Sequence, residues 1–253
     1  MLKRRIIPLL LWSDGKLVKT VSMNSKRIVG DPVRASKVYS DQDADEILIV
    51  DISKDENLRP EFFDSLRRIS LEVMIPITVG GGVVSVDSAR QLFDSGADKV
   101  LVNTSAYSNK NLLSEIAGEF GTQALVVGID FDRDEYEQVR LFSHSGSTQE
   151  TISMQGHLKA VEESGAGEIF LQSKTRDGTK IGLDLATIKE TLQNTSLPLV
   201  ACGGVGSYTH LLDAFREGVD GVGCGSLFNF GDNNPIRAKA YLRNHGINLK
   251  KQG

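Results

Sequence analysis

The feature that most constrains the fold of this chain is an internal repeat at about half its length. Residues 76–105 and 197–226 each read as an apolar strand ending in glycines, a helical stretch, and a second strand ending in a small polar residue. The offset is steady, because Gly81 lies 123 positions before Gly204. Self-similarity at this distance indicates two related halves rather than a short-period solenoid.

Apolar strand-like runs alternate with amphipathic helical segments eight times along the chain, which is typical of a parallel sheet with crossover helices. Eight such units in two related halves predict an α/β fold, a (β/α)8 TIM barrel, as a single domain over 1–253 with half-barrels at about 1–122 and 123–253. The predicted strands are 6–11, 47–51, 77–79, 100–103, 124–130, 169–172, 197–202 and 221–224. The predicted helices lie near 32–42, 59–71, 86–95, 109–119, 151–164, 184–193, 207–217 and 235–244.

Composition and charge exclude several classes of function. The 253 residues include 29 basic and 33 acidic side chains, and a net charge of −4 does not favour electrostatic binding of nucleic acid or an anionic membrane. The apolar run after the first five residues is too short for a signal peptide or a membrane span. The two cysteines form no disulfide framework, and the four scattered histidines show no metal-ligand spacing. We therefore expect a cytoplasmic protein without a metal or other cofactor.

Two glycine-rich strand ends predict phosphate-binding loops. In barrels of this kind the chemistry lies at the carboxyl ends of the strands, and glycines let backbone N–H groups approach an anion closely. Each glycine pair alone is equally consistent with a tight turn, but both pairs together favour a ligand with a phosphate at each end. We name them the first phosphate site (Gly81, Gly82, Asn103 and Thr104) and the second phosphate site (Gly203, Gly204, Gly225 and Ser226).

Two carboxylates at strand ends are candidates for chemistry. Asp130 closes the apolar strand ALVVGID, where an apolar surrounding would adjust its pKa for general acid or base catalysis. The alternative is an aspartate that caps the following loop. Asp177 in the segment RDGT could contact a ligand or only shape the turn that leads to Gly178. After Asp130, the alternating segment 135–147 predicts an inserted hairpin.

Four charged residues stand immediately before strands, at the amino-terminal end of the predicted barrel: Arg5, Glu46, Lys99 and Glu168. Two positive and two negative charges could close the barrel axis as a neutral ring of ion pairs. From their spacing alone, the interpretation we favour is a stabilising role, since this end of a barrel is ordinarily structural.

The markers along the chain resemble those of the HisF family, the cyclase subunit of imidazole glycerol phosphate synthase. The similarity runs over nearly the whole chain, and it depends on these segments: DGKLVK at 14–19, GDP at 30–32, TVGGG at 78–82, GADKV at 96–100, VNT at 102–104, RDGTK at 176–180 and HG at 245–246. The related isomerase HisA shares the barrel and the paired phosphate loops, but the segments GADKV to VNT and RDGTK look like HisF.

The resemblance implies a different role for each end of the barrel. A glutaminase partner of the HisH kind would dock under the barrel, and its ammonia would pass a charged gate at Arg5, Glu46, Lys99 and Glu168. The ammonia would then travel up the axis to a bisphosphorylated ribonucleotide. Lys19, in a mobile loop after strand 1, matches a lysine that covers substrate. The implied phosphate contacts are Gly82, Asn103 and Thr104 at one end, and Asp177, Gly178, Gly203, Gly225 and Ser226 at the other.

One departure from the family pattern concerns its acid and base pair. The family places one carboxylate at the end of strand 5, matched by Asp130, and one at the end of strand 1, where this chain has Leu11. Leucine cannot transfer a proton, and losing a general acid or base typically costs about 10²- to 10⁴-fold in rate. Asp14, three residues further on in a predicted turn, is the carboxylate available to substitute.

Three functions are compatible with these residues. The first is a divergent HisF paralogue that keeps the ammonia gate and the glutaminase contact, has weakened ring closure, and supplies ammonia to a sugar amidotransferase in surface-polysaccharide (lipopolysaccharide) synthesis. The second is a working cyclase of histidine biosynthesis, using Asp130, Asp14 and water. The third is a non-catalytic scaffold, which would not require either phosphate site to be intact.

Overall fold

The computed structural model describes residues 3–53, 57, 59–109, 111–229 and 232–249 of the chain. The ends included in the single-domain prediction, 1–2 and 250–253, therefore lie outside the described residues, as does Lys110 in the predicted helix 109–119. No helix in the described ranges is both long and apolar enough to span a membrane.

Eight parallel strands among the described residues close into a barrel, which confirms the predicted α/β fold of the (β/α)8 type. These strands are β1 (Arg5–Ser13), β4 (Ile47–Asp51), β5 (Ile77–Gly80), β6 (Lys99–Val102), β7 (Leu125–Arg133), β10 (Glu168–Ser173), β11 (Leu199–Cys202) and β12 (Gly221–Cys224). They follow one another around the barrel in this order, and β12 pairs with β1 to complete the ring.

Helices follow the strands and cover the outside of the barrel. They are α1 (Pro32–Asp41), α2 (Arg59–Glu72), α3 (Val86–Asp94), α4 (Thr104–Ser108), α5 (Leu112–Phe120), α6 (Met154–Glu163), α7 (Leu185–Gln193), α8 (Tyr208–Glu217), α9 (Ser226–Asn229) and α10 (Pro235–Asn244). The short α4 and α9 were not among the predicted helices.

Local sequence signals explain where several of these helices begin. Asp31 caps α1, accepting a hydrogen bond from the Arg34 N–H, and Pro32 occupies the first turn, where no N–H is needed. Ser85 and Ser88 form a capping box at the start of α3. Each cap satisfies N–H groups that would otherwise lack a partner, so these helices begin at defined residues.

Two antiparallel insertions extend from the carboxyl-terminal end of the barrel. Strand β1 continues into a hairpin of β2 (Lys16–Val21) and β3 (Asn24–Gly30), which the sequence analysis treated as a loop. Strand β7 runs on to Arg133 and pairs with β8 (Val139–Ser143), which in turn pairs with β9 (Thr148–Gln149). The second insertion matches the hairpin predicted at 135–147.

The core has two parts, separated by the barrel wall. The larger part lies between the strands and the helices, and it includes buried side chains of α2 such as Phe62 and Leu66. The smaller part fills the barrel itself and consists of Ile7, Leu9, Leu48, Leu101, Val126, Phe170, Val200 and Cys202, with Leu11 and Val50 packed against it. The barrel axis is therefore lined mainly by apolar side chains.

Candidate active site at the barrel mouth

Asp130 lies near the carboxyl end of the barrel, on β7, where it is 6% exposed. Burial raises the pKa of this carboxyl group to about 7, an effect that a hydrogen bond from Asn103 opposes and the nearby Asp177 carboxylate reinforces. A carboxyl group that titrates near neutral pH is suited to accept or donate a proton. The local environment therefore fits the acid or base role predicted for Asp130.

Leu11 faces the barrel interior at the position where the family pattern expects the second carboxylate. It lies beside Val50 in the register between β1 and β4 and packs against the apolar cluster of the barrel. The mouth, by which we mean the opening at the carboxyl-terminal end of the barrel, is consequently apolar on this side. Leu11 offers no group that could exchange a proton with a ligand.

Asp14 does not share the buried environment of Asp130. It is exposed, at the turn that joins β1 to β2, with a backbone φ of 54°. Its Oδ2 atom accepts a hydrogen bond of 2.8 Å from the Ser13 hydroxyl. The predicted turn is present, and the carboxylate lies at the surface of the molecule.

Lys19 lies in the buried part of strand β2 rather than in an irregular loop, which corrects the predicted local structure. Its Nζ atom donates a hydrogen bond of 2.6 Å to the Leu9 carbonyl oxygen. Burial lowers the pKa of the ammonium group to about 8, although the nearby Asp177 carboxylate acts in the opposite direction. A β-carbon placed on Gly225 would lie 3.0 Å from this Nζ atom, so Lys19 adjoins the second phosphate site.

Asp177 holds the hairpin of β2 and β3 against the turn that follows β10. Its Oδ2 atom accepts hydrogen bonds from the Thr20 hydroxyl at 2.7 Å and from the Met23 N–H at 3.3 Å. Its carbonyl oxygen accepts a third from the Ser22 N–H at 2.8 Å. At the neighbouring Gly178, a β-carbon would lie only 2.2 Å from the Thr20 carbonyl oxygen. The Asp177 carboxylate therefore takes part in holding the hairpin in place at the mouth.

The glycines of the first phosphate site have backbone conformations that other residues rarely adopt. Gly81 and Gly82 have φ values of 99° and 63°, and a β-carbon on Gly81 would lie 2.2 Å from the Asp51 carbonyl oxygen. Asn103 follows β6, the strand paired with β5, and its Oδ1 atom is buried without a hydrogen-bond partner among the described residues. The Thr104 hydroxyl accepts a hydrogen bond of 3.0 Å from the His144 N–H, which joins this site to the second hairpin.

The second phosphate site is built from equally close backbone contacts. A β-carbon on Gly203 would lie 2.6 Å from the Ser173 carbonyl oxygen, and one on Gly204 would lie 2.2 Å from that of Gly182. The Gly204 carbonyl oxygen accepts a hydrogen bond of 2.8 Å from the Gly182 N–H. Ser226 is buried at the start of α9.

Arg59 is a residue of the mouth that the sequence analysis missed. Its guanidinium donates to the Asp51 carboxylate at 2.8 Å and to the Gly81 carbonyl oxygen at 2.7 Å. These partners lie 8 and 22 positions away along the chain, and the segment around Arg59 matches no motif. Only the folded arrangement of β4, β5 and α2 brings the three residues together.

At the opposite end of the barrel, the four charged residues form a closed ring of ion pairs. Arg5 contacts Glu46 at 2.8 Å and also pairs with Glu168, while Lys99 contacts Glu46 at 3.0 Å and Glu168 at 3.1 Å. Burial alone would raise the pKa of Glu168, but its hydrogen bonds and ion pairs with Arg5 and Lys99 hold that pKa below its ordinary value. The predicted neutral ring is therefore formed; we name it the four-charge ring.

A small cavity lies on the barrel axis directly above this ring. It is lined by Glu46, Glu168 and Thr78 together with apolar side chains of the barrel interior. Its volume is about 10 Å³, taken as the space open to the centre of a water-sized sphere. That is close to the lower limit for one water molecule, and ammonia is of similar size.

The sequence of this chain is similar to those of known proteins. A family model described as "Histidine biosynthesis protein" matches residues 5–234. The imidazole glycerol phosphate synthase subunit HisF of Thermotoga sp. (strain RQ2) is 39% identical over 253 residues, which is 100% of both chains. The subunit of the same name from Dictyoglomus turgidum (strain DSM 6724 / Z-1310) is 40% identical over 247 residues, 98% of each chain.

Proposed function

Because this chain belongs to the family of the imidazole glycerol phosphate synthase subunit HisF, we propose that it receives ammonia at the four-charge ring and passes it along the barrel axis. We further propose that its own ring-closing activity is weakened, and that it supplies nitrogen for sugar amidation in surface-polysaccharide synthesis. The observation that carries the proposal of weakened ring closure is Leu11, whose side chain has no proton to transfer and packs against the apolar cluster inside the barrel.

The bottom and the interior of the barrel support the passage of ammonia. The four-charge ring occupies the end of the axis, and the cavity above it has room for about one small molecule. Beyond the cavity, the interior side chains are apolar. An apolar path favours neutral ammonia over ammonium, because burying a charge without a partner is costly.

The proposed partners follow from the two ends of the barrel. A glutaminase of the HisH kind docks at the amino-terminal end, next to the four-charge ring, and supplies the ammonia. A bisphosphorylated small molecule spans the first and second phosphate sites, and a sugar amidotransferase takes the nitrogen. The names of both relatives describe a subunit, which supports an assembly of more than one chain.

A second candidate function is a working cyclase of histidine biosynthesis. The pKa of about 7 at Asp130 favours it, because one residue with this pKa can both accept and donate a proton at neutral pH. The glycine loops at both predicted phosphate sites also favour it. In this function, Asp14 or a water molecule would have to replace the missing carboxylate.

Turnover with ammonium salt separates the two functions, because it bypasses the glutaminase and tests the barrel mouth alone. We would measure steady-state turnover of the phosphoribulosyl formimino substrate by the purified chain, by Leu11→Asp and by Leu11→Asn. Asparagine has nearly the shape of aspartate but cannot act as a general base, so it serves as the control for steric effects.

We expect little turnover by the wild-type chain, a gain of about 10²-fold or more for Leu11→Asp, and no gain for Leu11→Asn. Wild-type turnover that Leu11→Asp does not improve would contradict the weakened activity and support the histidine pathway. Equal gains in both variants would show that polarity at position 11, rather than proton transfer, limits the reaction.

A further inference from the structure

Arg59 contacts the first phosphate site without belonging to any motif of the sequence. Its side chain is 23% exposed, and one of its two acceptors, the Asp51 carboxylate, is only 6% exposed. A β-carbon on Gly82 would lie 3.1 Å from the Arg59 Cζ atom. The guanidinium therefore packs directly against the loop of Gly81 and Gly82.

The direction of one peptide unit connects Arg59 to ligand binding. The carbonyl oxygen of Gly81 and the N–H of Gly82 belong to the same peptide, and no peptide among the described residues is cis. In a trans peptide these two groups point in opposite directions. Because Arg59 holds the Gly81 carbonyl oxygen at 2.7 Å, the Gly82 N–H points away from Arg59.

The Gly82 N–H is in a position to bind an anion. Gly82 is exposed, and no described residue accepts a hydrogen bond from its N–H group. A cationic donor on the carbonyl end of a peptide also polarises its N–H end, which strengthens the N–H as a donor. Both effects favour a phosphate oxygen at this point.

Without Arg59, this peptide would be unusually free to rotate. Both residues that flank it are glycines with positive φ, so no side chain resists a change of φ and ψ. Rotation by half a turn would present the Gly81 carbonyl oxygen to the ligand in place of the N–H, and two negatively polarised groups repel. The fixed fork of the guanidinium prevents this rotation by holding the Gly81 carbonyl oxygen and the Asp51 carboxylate together.

We propose that Arg59 is a positioning residue of the first phosphate site, fixing the peptide between Gly81 and Gly82 so that its N–H faces the phosphate of the ligand. The inference depends on the proposed function only in taking this loop as a phosphate site. Because the Asp51 carboxylate neutralises much of its charge at 2.8 Å, Arg59 acts by orienting the loop rather than by long-range attraction.

The second phosphate site provides an internal control for the test. We would label the glycines of the chain with ¹⁵N, titrate with inorganic phosphate at pH 7, and follow the amide signals of Gly82 and Gly204. The variants are Arg59→Met, which removes the guanidinium, and Arg59→Lys, which keeps a charge without the planar fork. Arg68→Met changes an exposed arginine of the same helix and is the matched control.

In Arg59→Met, we expect the phosphate concentration for half-saturation at Gly82 to rise about 10-fold or more, the effect of losing a charge-assisted hydrogen bond. The response at Gly204 should change less than about 2-fold, and Arg59→Lys should lose most of the affinity at Gly82. Arg68→Met should behave as the wild-type chain.

Three results would overturn the inference: an unchanged response at Gly82 in Arg59→Met, wild-type affinity in Arg59→Lys, or equal losses at Gly82 and Gly204. The last result would mean that Arg59 serves only the stability of the barrel. If the two loops do not bind phosphate at all, the wild-type chain would show no response at either glycine. That result is distinct from the three that would overturn the role of Arg59.

Discussion

At the scale of single residues, the apolar mouth shifts the pKa values of two ionisable side chains in opposite directions. Burial raises the pKa of Asp130 to about 7 and lowers the pKa of Lys19 to about 8. In both cases the low polarity disfavours the charged form. As a result, a carboxyl group and an amine that ordinarily titrate far apart both change protonation close to neutral pH.

The buried carboxyl of Asp130 should make the stability of the chain depend on pH. Since its pKa is raised in the folded state, its contribution to stability is fully present below the ordinary value of 3.8 and is lost as the pH rises to about 7. We expect Asp130→Asn to increase the free energy of unfolding by roughly 3 kcal/mol at pH 8 and by less than about 1 kcal/mol at pH 4.

Urea unfolding of Asp130→Asn and the wild-type chain at both pH values measures this difference. The exposed Asp64, changed to asparagine, is the control and should alter stability by less than about 0.5 kcal/mol at either pH. A destabilising effect of Asp130→Asn at pH 8 would contradict the raised pKa.

Lys19 should make anion binding at the second phosphate site depend on pH. Above about pH 8 its ammonium group loses the proton that attracts an anion near Gly225. With sulfate as the probe, whose charge is constant in this range, we expect the affinity reported by the Gly225 α-carbon signals to fall by about 10-fold between pH 7 and pH 9.

The Lys19→Met variant should bind sulfate weakly at both pH values, and Lys16→Met, on an exposed position of the same strand, should retain the pH dependence. The α-carbon signal of Gly82, at the first phosphate site, serves as a reference within the same sample. A pH dependence that survives in Lys19→Met would assign the effect to another group.

At the scale of elements, the hairpin of β2 and β3 is fixed over the mouth by the turn that follows β10. Three backbone and side-chain hydrogen bonds to Asp177 connect the two elements. Such a connection between a surface hairpin and the barrel can open locally without unfolding the remainder of the chain. The hairpin carries Lys19, so its attachment also determines where that ammonium group lies.

Removing one of these bonds should loosen the hairpin alone. In Thr20→Val, the Asp177 carboxylate loses the hydroxyl at 2.7 Å, and we expect local opening to become easier by about 1–2 kcal/mol. Hydrogen exchange measured by mass spectrometry should then be about 10-fold faster or more in residues 16–30 and unchanged in the barrel strands.

The matched control is Thr195→Val, which removes a hydroxyl bonded to Glu162 at 2.6 Å far from the mouth. Uniformly faster exchange throughout Thr20→Val would mean that Thr20 supports the whole barrel, and unchanged exchange in 16–30 would mean that the bond is not needed.

The elements also show which parts of the fold the sequence could predict. All eight barrel strands and the long helices follow from the alternation of apolar runs with helical segments, because that pattern reflects burial on one or both faces. Strands β2 and β3 were missed because their pairing depends on contacts with β1 and on the turn at Asp177. The local sequence pattern carries no information about these distant contacts. Arg59 was missed for the same reason, since its partners meet it only in three dimensions.

At the scale of the whole molecule, the four-charge ring ties four strands of the barrel together at its amino-terminal end. Each carboxylate contacts both cations, so no charge of the ring is left without a partner. Buried ions are costly to separate from their partners. The sequence predicted a neutral ring of ion pairs from the charges and their positions, whereas the individual pairs depend on the register of β1, β4, β6 and β10.

Glu168→Gln should therefore destabilise the barrel in a pH-dependent manner. Because the pKa of Glu168 is held below its ordinary value of 4.5, its contribution is present above that pH and is lost as the pH falls further. We expect the variant to lose about 2–3 kcal/mol at pH 7 and to lose less at pH 3.

Chemical unfolding at the two pH values measures the effect, with the exposed Glu163→Gln as the control. A loss for Glu168→Gln that is equally large at both pH values would point to packing rather than charge as its cause.

The unlike construction of the two phosphate sites has a consequence for how a ligand would lie. A molecule with a phosphate at each end could enter a perfectly duplicated barrel in either of two directions. Here one end would meet a peptide held by the guanidinium of Arg59, and the other would meet a loop held by backbone groups beside the ammonium of Lys19. If both proposed sites bind phosphate, the two ends are not interchangeable, and the barrel would bind the ligand in one direction and bring the same ligand atom to Asp130 each time.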